Sequence, residues 1–282
     1  MRKPVHNKRS VILLSIVLML LLFLVAALLD SRFRLETDRF EITDPDLPAV
    51  FDGFRVVQLS DLHEREFGPD NARLVAAVTR EAPDLIVLTG DFVDSTAGIP
   101  VALTLAEQLL ELAPVYFVSG NHDWASGEME SLRTHLEMIG VTVLDNKWET
   151  LKRDGASIVL CGVEDPNGYA DSPHPDAVVA SVRAQYPEEF LLLVGHRNYW
   201  PDAYPALDAD LILCGHGHGG VIRLPIVGGL LGSGNVWLPD YTAGLYTGTT
   251  YRMLVSRGLG GGMQMPRLFN SPQVVSVTLR AA

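Results

Sequence analysis

The sequence predicts an α/β domain on a largely parallel sheet, preceded by one transmembrane helix. Three observations carry this expectation. Short apolar runs alternate with helical patterns through much of the chain, as in βαβ units. One of them, Leu85-Ile86-Val87-Leu88, passes without interruption through Thr89 into Gly90-Asp91, as suits a strand covered on both faces. And between Val11 and Leu29 the only polar residue is Ser15, a run of 19 positions, where a helix needs ~20 to cross a bilayer.

The N-terminal run follows Arg2, Lys3, Lys8 and Arg9 and precedes Asp30, Arg32 and Arg34. It is longer than the ~7–15-residue core of a secretory signal, and Val25-Ala26-Ala27 is a poor cleavage site, which favours a retained anchor. The leading positive charges predict a cytoplasmic N-terminus with the main domain outside, although Arg32, Arg34 and Arg39 pull the other way. The expected division is 1–34, a cytoplasmic flank and anchor, and 35–282, one domain.

Residues 35–53 read as a short approach with turns at Asp44-Pro45, Pro48 and Asp52-Gly53. Phe54–Ser60 is a strand that delivers Asp61-Leu62-His63. Pro69-Asp70 opens a helix with Leu74, Val75 and Val78 on one face, and Pro83 follows its end. After the strand Leu85–Thr89 comes a helical pattern near Val101–Leu112, stopped by Pro114. Val115–Ser119 is the next strand and delivers Gly120-Asn121-His122-Asp123. A helix over about Ser126–Ile139 leads into Val141–Leu144. Glu149–Lys152 and Ser157–Gly162 pair as a hairpin around Asp154-Gly155. A helix near Asp176–Gln185 precedes Phe190–Val194, which carries Gly195-His196. Leu211–Cys214 carries Gly215-His216-Gly217-His218, and from Val221 onward β segments separated by glycines run to Val274–Leu279.

Composition narrows the function. Residues 1–34 hold six of the 22 Lys/Arg and one of the 34 Asp/Glu, which leaves the remainder at a formal −17. Such a domain repels nucleic acid, while bound cations would still draw a phosphate into a site locally. The two cysteines, Cys161 and Cys214, each end an apolar run, where buried free thiols are ordinary. Two thiols also exclude an all-thiolate metal site.

Asp61, His63, Asp91, Asn121, His122, His196, His216 and His218 all fall just past apolar strands, and five of the chain's eight histidines are among them. One Asp-x-His or Gly-Asp is usually a turn; five such blocks at strand ends are not a coincidence of turns. Asp61 and His63 are two apart, so an extended backbone would point both the same way, and the same holds for His216 and His218. Asp91 has two oxygens and can bridge two cations. Imidazole with carboxylate or amide oxygen suits Zn, Mn or Fe. Two such ions ~3.5–4 Å apart can activate water and stabilise an in-line displacement.

In order, Asp61-Leu62-His63, Gly90-Asp91, Gly120-Asn121-His122-Asp123, Gly195-His196 and Gly215-His216-Gly217-His218 resemble the five signatures of calcineurin-like metallophosphoesterases. The likeness continues through Gly219–Pro225 and Ser256–Gly260, which with the anchor are similar to a membrane-attached bacterial branch of that family. The resemblance implies a four-layer α/β/β/α sandwich as the catalytic domain. It implies two divalent metal ions, one held by Asp61, His63, Asp91 and His218, the other by Asp91, Asn121, His196 and His216. A hydroxide shared by the ions would be the nucleophile, so that no phosphoenzyme forms. His122 would face the leaving oxygen as a charged or proton-donating group, with Asp123 orienting it. One departure stands out: Arg197-Asn198-Tyr199-Trp200-Pro201-Asp202 replaces the commoner His-Asn-Pro-Asp wording, which puts the pocket wall there in doubt.

Several single residues admit two readings each. Asp94 fits a supporting acid and a helix-capping or turn acid equally well. For Arg197 phosphate binding competes with an exposed surface charge, and for Tyr199 and Trp200 a pocket wall competes with packing beneath the loop. Arg257 reads as structural, and His6, His135 and His174 lie away from strand exits. The expected function is a membrane-anchored phosphoesterase acting on a phosphodiester or pyrophosphate, on a lipid or cell-envelope molecule that the anchor keeps near. Two alternatives remain: a cytoplasm-facing pyrophosphohydrolase of a nucleotide-linked acyl sugar, and a non-catalytic envelope or metal-binding module. No His-x-His-x-Asp-His supports a metallo-β-lactamase-like site, and His-x-His arrives too late for an amidohydrolase barrel.

Overall fold

Residues 8–248, 250–261 and 266–282 are described by a computed structural model. Arg2, Lys3 and His6 of the expected flank lie outside them. Helix α1 spans Lys8–Phe33 and, among the described residues, is the one helix long and apolar enough to cross a membrane. Its 26 residues reach about 39 Å at 1.5 Å each. The last turns rest on the domain: Ser31 is buried and its Oγ accepts the Asn270 N–H at 3.2 Å, while Arg73 Nη2 donates to the Phe33 carbonyl at 2.8 Å.

The first sheet is laid down by β1 (Glu36–Asp44), β2 (Arg55–Leu59), α2 (Ala72–Glu81), β3 (Leu85–Thr89), α3 (Gly98–Leu110), β4 (Val115–Val118), α4 (Asn121–Ala125), α5 (Met129–Ile139) and β5 (Thr142–Val143). The second is built from β6 (Trp148–Arg153), β7 (Ala156–Gly162), α6 (Pro175–Gln185), β8 (Leu191–Val194), α7 (Trp200–Ala203) and β9 (Leu211–Cys214). A two-stranded hairpin, β10 (Arg223–Leu224) and β11 (Gly228–Gly229), follows. Then β12 (Gly244–Thr247) and β13 (Arg252–Val255) complete the second sheet, and β14 (Gln273–Ala281) returns to the first.

The orders are β1-β14-β2-β3-β4-β5 and β12-β13-β9-β8-β7-β6. The inner strands β2 to β5 and β7 to β9 run parallel, and antiparallel pairs form at β14–β2, β6–β7 and β12–β13. The four layers follow from the period of two along each strand. On β3, Ile86 and Leu88 face a core shared with Leu74, Leu105 and Leu132 of the helices, whereas Leu85 and Val87 face a core shared with Leu192, Leu211 and Leu213 of the other sheet. On β8 and β9, Leu193 and Ile212 pack outward on Val178 and Val182 of α6. Helices therefore cover the outer face of each sheet, and the α/β/β/α sandwich is the observed architecture.

Three local expectations need correction. Residues 35–53 contain β1, paired in parallel with β14 over nine residues. Its charges hid it: Glu36 and Asp38 pair with Arg257, and Arg39 with Glu81, so only Phe40 and Ile42 show an apolar alternation. The helix expected over Ser126–Ile139 is α5, which begins at Met129, and a separate short helix that was not expected, α4, precedes it and starts at Asn121 itself. Finally, β2 and β9 end before the Asp61-x-His63 and His216-x-His218 pairs, all four of which have left-handed backbone, with φ of 52°, 48°, 65° and 46°. A turning loop, and not an extended strand, aims them. The hairpin turn at Asp154-Gly155 does have positive φ at both positions, as a type I′ turn requires.

Candidate metal centre

The carboxyl ends of β2, β3 and β4 in one sheet and of β8 and β9 in the other open on one cleft, where open α/β folds place their ligands. Buried Gln58 ties the two sheets just beneath it. Its Nε2 donates to Thr89 Oγ1 at 2.9 Å and to the Cys214 carbonyl at 2.8 Å, linking the ends of β3 and β9. Both cysteines are free and buried.

Asp91 follows Gly90, whose φ of +81° turns the chain at the end of β3. A Cβ at Gly90 would sit 2.6 Å from the Gly120 nitrogen and 2.8 Å from His196 Nδ1, so a glycine is required for the β3, β4 and β8 loops to meet. Asp91 Oδ1 accepts the His122 N–H at 2.7 Å. Asp91 Oδ2 lies 3.1 Å from His196 Nε2 and 3.8 Å from His63 Nε2. The shared acid is held between two groups of side chains.

In the first group, one ligand atom from each of Asp61, His63, Asp91 and His218 lies within 4.8 Å of all the others. In the second, the same holds for Asp91, His196 and His216, and Asn121 Oδ1 is 3.2 Å from His196 Nε2. Ligands about 2.0–2.2 Å from one ion sit up to ~4 Å apart, close to this spacing. Three buried atoms at the centre, His63 Nε2, Asp91 Oδ2 and His218 Nδ1, have no hydrogen-bond partner among the described residues. Orphaned buried polar atoms are costly, and divalent cations bound there would satisfy the two that face one another, His63 Nε2 and Asp91 Oδ2. The residues present therefore fit two such ions.

A third cluster, His63, Asp94 and His122, is equally tight but differs in kind. Asp94 Oδ1 accepts from His63 Nδ1 at 2.9 Å and from His122 Nδ1 at 2.8 Å. The carboxylate saturates both ring nitrogens, fixing each imidazole with Nε2 pointing away from it.

Here the expected role of Asp123 is corrected. Asp123 is fully buried and accepts backbone N–H groups from Asp91, Phe92, Val93 and Gly120, at 2.8–3.0 Å. It staples the β3 and β4 loops together, and Asp94 is the acid beside His122. Arg197 is also not the surface charge that competed with its phosphate reading: Asp165 clamps its guanidinium at 2.6 and 2.9 Å, and Nη1 stands 3.2 Å from His216 Nε2. Trp200 packs beneath the loop, buried against the outer core of the second sheet. Asp165, Ser233 and Gly234 were not singled out from the sequence. Ser233 and Gly234 line the cleft from a glycine-rich loop with no periodic pattern to mark it.

The electrostatics follow from burial and from the close packing of these acids and imidazoles. Burial pushes His216 down to about 2, with His196 and Arg197 adding to the effect, and burial together with His63 holds His218 well below its usual value. Both are neutral imidazoles, ready to donate a lone pair. Burial would lower His196 too, but the charge of Asp91, with Asp61 and Asp165 adding to it, raises His196 to about 10. Burial would raise Asp91, yet His196 and then His63 hold it below the ordinary carboxylate range. His122 is raised by its hydrogen bond to Asp94, against burial.

A family model described as calcineurin-like phosphoesterase matches residues 54–220, a span that contains every residue named in both metal groups. The chain is 30% identical over 88% of its length to the metallophosphoesterase YkuE of Bacillus subtilis, covering 86% of that protein. It is 29% identical over 80% of its length to phosphodiesterase YaeI of Escherichia coli, covering 82% of it. A zebrafish (Danio rerio) transmembrane protein with a metallophosphoesterase domain is 28% identical over 86% of this chain, which spans 56% of that longer protein. The sandwich, the match over residues 54–220 and these relatives place the chain in the calcineurin-like phosphoesterase family, hydrolases that act on phosphoesters.

Proposed function

We propose that this protein is a membrane-anchored phosphodiesterase or pyrophosphatase that works with two divalent cations, Mn, Zn or Fe, on a lipid or cell-envelope phosphoester. The observation that carries the reading is Asp91, whose carboxylate stands between two complete groups of ligand atoms. Asp61, His63, Asp91 and His218 would hold one ion, and Asp91, Asn121, His196 and His216 the other. When bound, the ions would acidify a water for attack and neutralise charge on the phosphoryl oxygens.

The protein's own groups do the rest. Asp94 keeps a proton on His122 Nδ1 and raises its basicity, so His122 Nε2 faces the cleft able to donate a proton to the leaving oxygen. Asp165 holds Arg197 at the cleft wall, where its guanidinium can meet a non-bridging phosphoryl oxygen. Asp123 keeps the loops of Asp91 and Asn121 in register. α1 would anchor residues 1–34 with the N-terminus in the cytoplasm and the catalytic domain of 35–282 outside, in line with the flanking charges.

The full chain in detergent with Mn or Zn should hydrolyse an aryl phosphodiester, and Asp91→Asn should abolish turnover. Undiminished activity in that variant would remove the mechanism. Protease applied to intact cells should digest the 35–282 domain, and a protected domain would reverse the topology.

A further inference from the structure

We infer that the rim of the active-site cleft nearest α1 is seated in the bilayer, so that the enzyme takes a substrate whose acyl chains stay in the leaflet while its phosphoester enters the cleft. The inference rests on α1 spanning the membrane and deepens the substrate class proposed above.

The rim is unusually apolar for a surface that faces water. Ile226 at the tip of the β10–β11 hairpin is fully exposed, Trp237 is 74% exposed, and Leu224, Val227, Leu238 and Phe269 are also exposed. Clustered exposure of this kind marks an interaction surface. What covers it is indicated by its neighbour. The Phe269 ring lies 5.9 Å from that of Phe23 in α1. A cleft of about 630 Å³ between them is lined by Phe23, Leu224, Pro225, Ile226 and Phe269, with Gly228 and with Arg223, whose Nη1 donates to the Gly219 carbonyl and to Thr242 Oγ1. Phe23 lies six residues before Leu29, the end of the uninterrupted apolar run, which is about 9 Å along the helix. With α1 across the membrane, the hairpin tip and Phe269 sit at that depth, below the headgroups. The rim continues the membrane-facing surface of the anchor.

The same segment leads to the chemistry. Ser233 and Gly234 lie in the chain between the hairpin and Trp237 and line the cleft with Asp91, Asn121 and His122. Ser233 Oγ donates to the His216 carbonyl, which ties this loop to a proposed metal ligand. The formal −17 of the domain gives no attraction to anionic headgroups, so the seating is by apolar burial.

The test uses the full chain in vesicles of zwitterionic phosphatidylcholine with brominated acyl chains. Bromine should quench Trp237, and Trp237→Phe should remove that quenched component; an identical quenched signal in both proteins overturns the seating. An alkaline carbonate wash examines the anchor by itself, and release of the chain from the vesicles takes away the premise and the inference with it. Ile226→Asp together with Val227→Asp should slow hydrolysis of nitrophenyl hexadecyl phosphate in the vesicles at least about tenfold. Hydrolysis of bis(nitrophenyl) phosphate in water should stay within about twofold. An equal effect on the two substrates overturns the inference. A parent chain that hydrolyses neither defeats the phosphodiesterase reading, while the quenching result still decides where the rim lies.

Discussion

Asp94 and Asp123 are both acids near His122, the first in space and the second in the chain, and the structure gives them different work. Asp94→Asn removes the charge that raises His122, so the imidazole loses its proton at lower pH. Because the proposed proton donor acts in its charged form, the alkaline limb of the kcat/KM profile should move toward acid, with kcat down roughly ten- to a hundredfold. Asp123→Asn should leave that limb in place and instead weaken the fold. An amide nitrogen cannot accept, so at least one of the two pairs of backbone N–H groups on Asp123 is left facing a donor, at a cost of about 2–4 kcal/mol. Urea unfolding of the two variants beside their pH profiles separates the roles. The seven proposed ligands were legible because each follows an apolar strand. The duty of Asp123 was not, because it is exercised on backbone amides, which leave no trace in residue identity.

Strands and loops set the precision with which these side chains meet. The loop after β3 is held to the loops after β4 and β8 by contacts that leave no space for a Cβ at Gly90. Gly90→Ala should therefore shift Asp91 and His196 relative to each other and weaken cation binding at least about tenfold, read by equilibrium dialysis against Mn or Zn. The inner strands could be read from sequence because residues buried on both faces are mostly apolar, as in Leu85–Leu88 of β3. β1 could not, since an edge strand tolerates charges that find partners elsewhere, such as Arg39 on Glu81. The short α4 was also invisible: five residues are too few for a helical periodicity, and it begins at Asn121, directly at the strand end.

For the whole molecule, cations and protons compete. Without metal, Asp91 and His196 form a buried pair in which His196 is raised to about 10. That contribution to stability is fully present below the unfolded imidazole value of ~6.5 and is lost as pH rises through about 10. A cation must displace the His196 proton, so affinity should climb about tenfold per pH unit over the range where one proton is released. Calorimetry in buffers of different ionisation enthalpy should detect that proton. Chelation should lower the unfolding temperature, and re-addition of metal should restore it in a concentration-dependent way.

The position of β14 bears on how the protein is made. The last strand lies between β1 and β2, and its partners are more than two hundred residues upstream. As the ribosome releases the chain, α1 and β1 emerge before the more than two hundred residues that separate them from β14, and β1 waits beside an open slot until then. The first sheet closes only once residues 273–281 have been made, so a message cut short before residue 273 yields a chain with that slot empty and β1 unpaired.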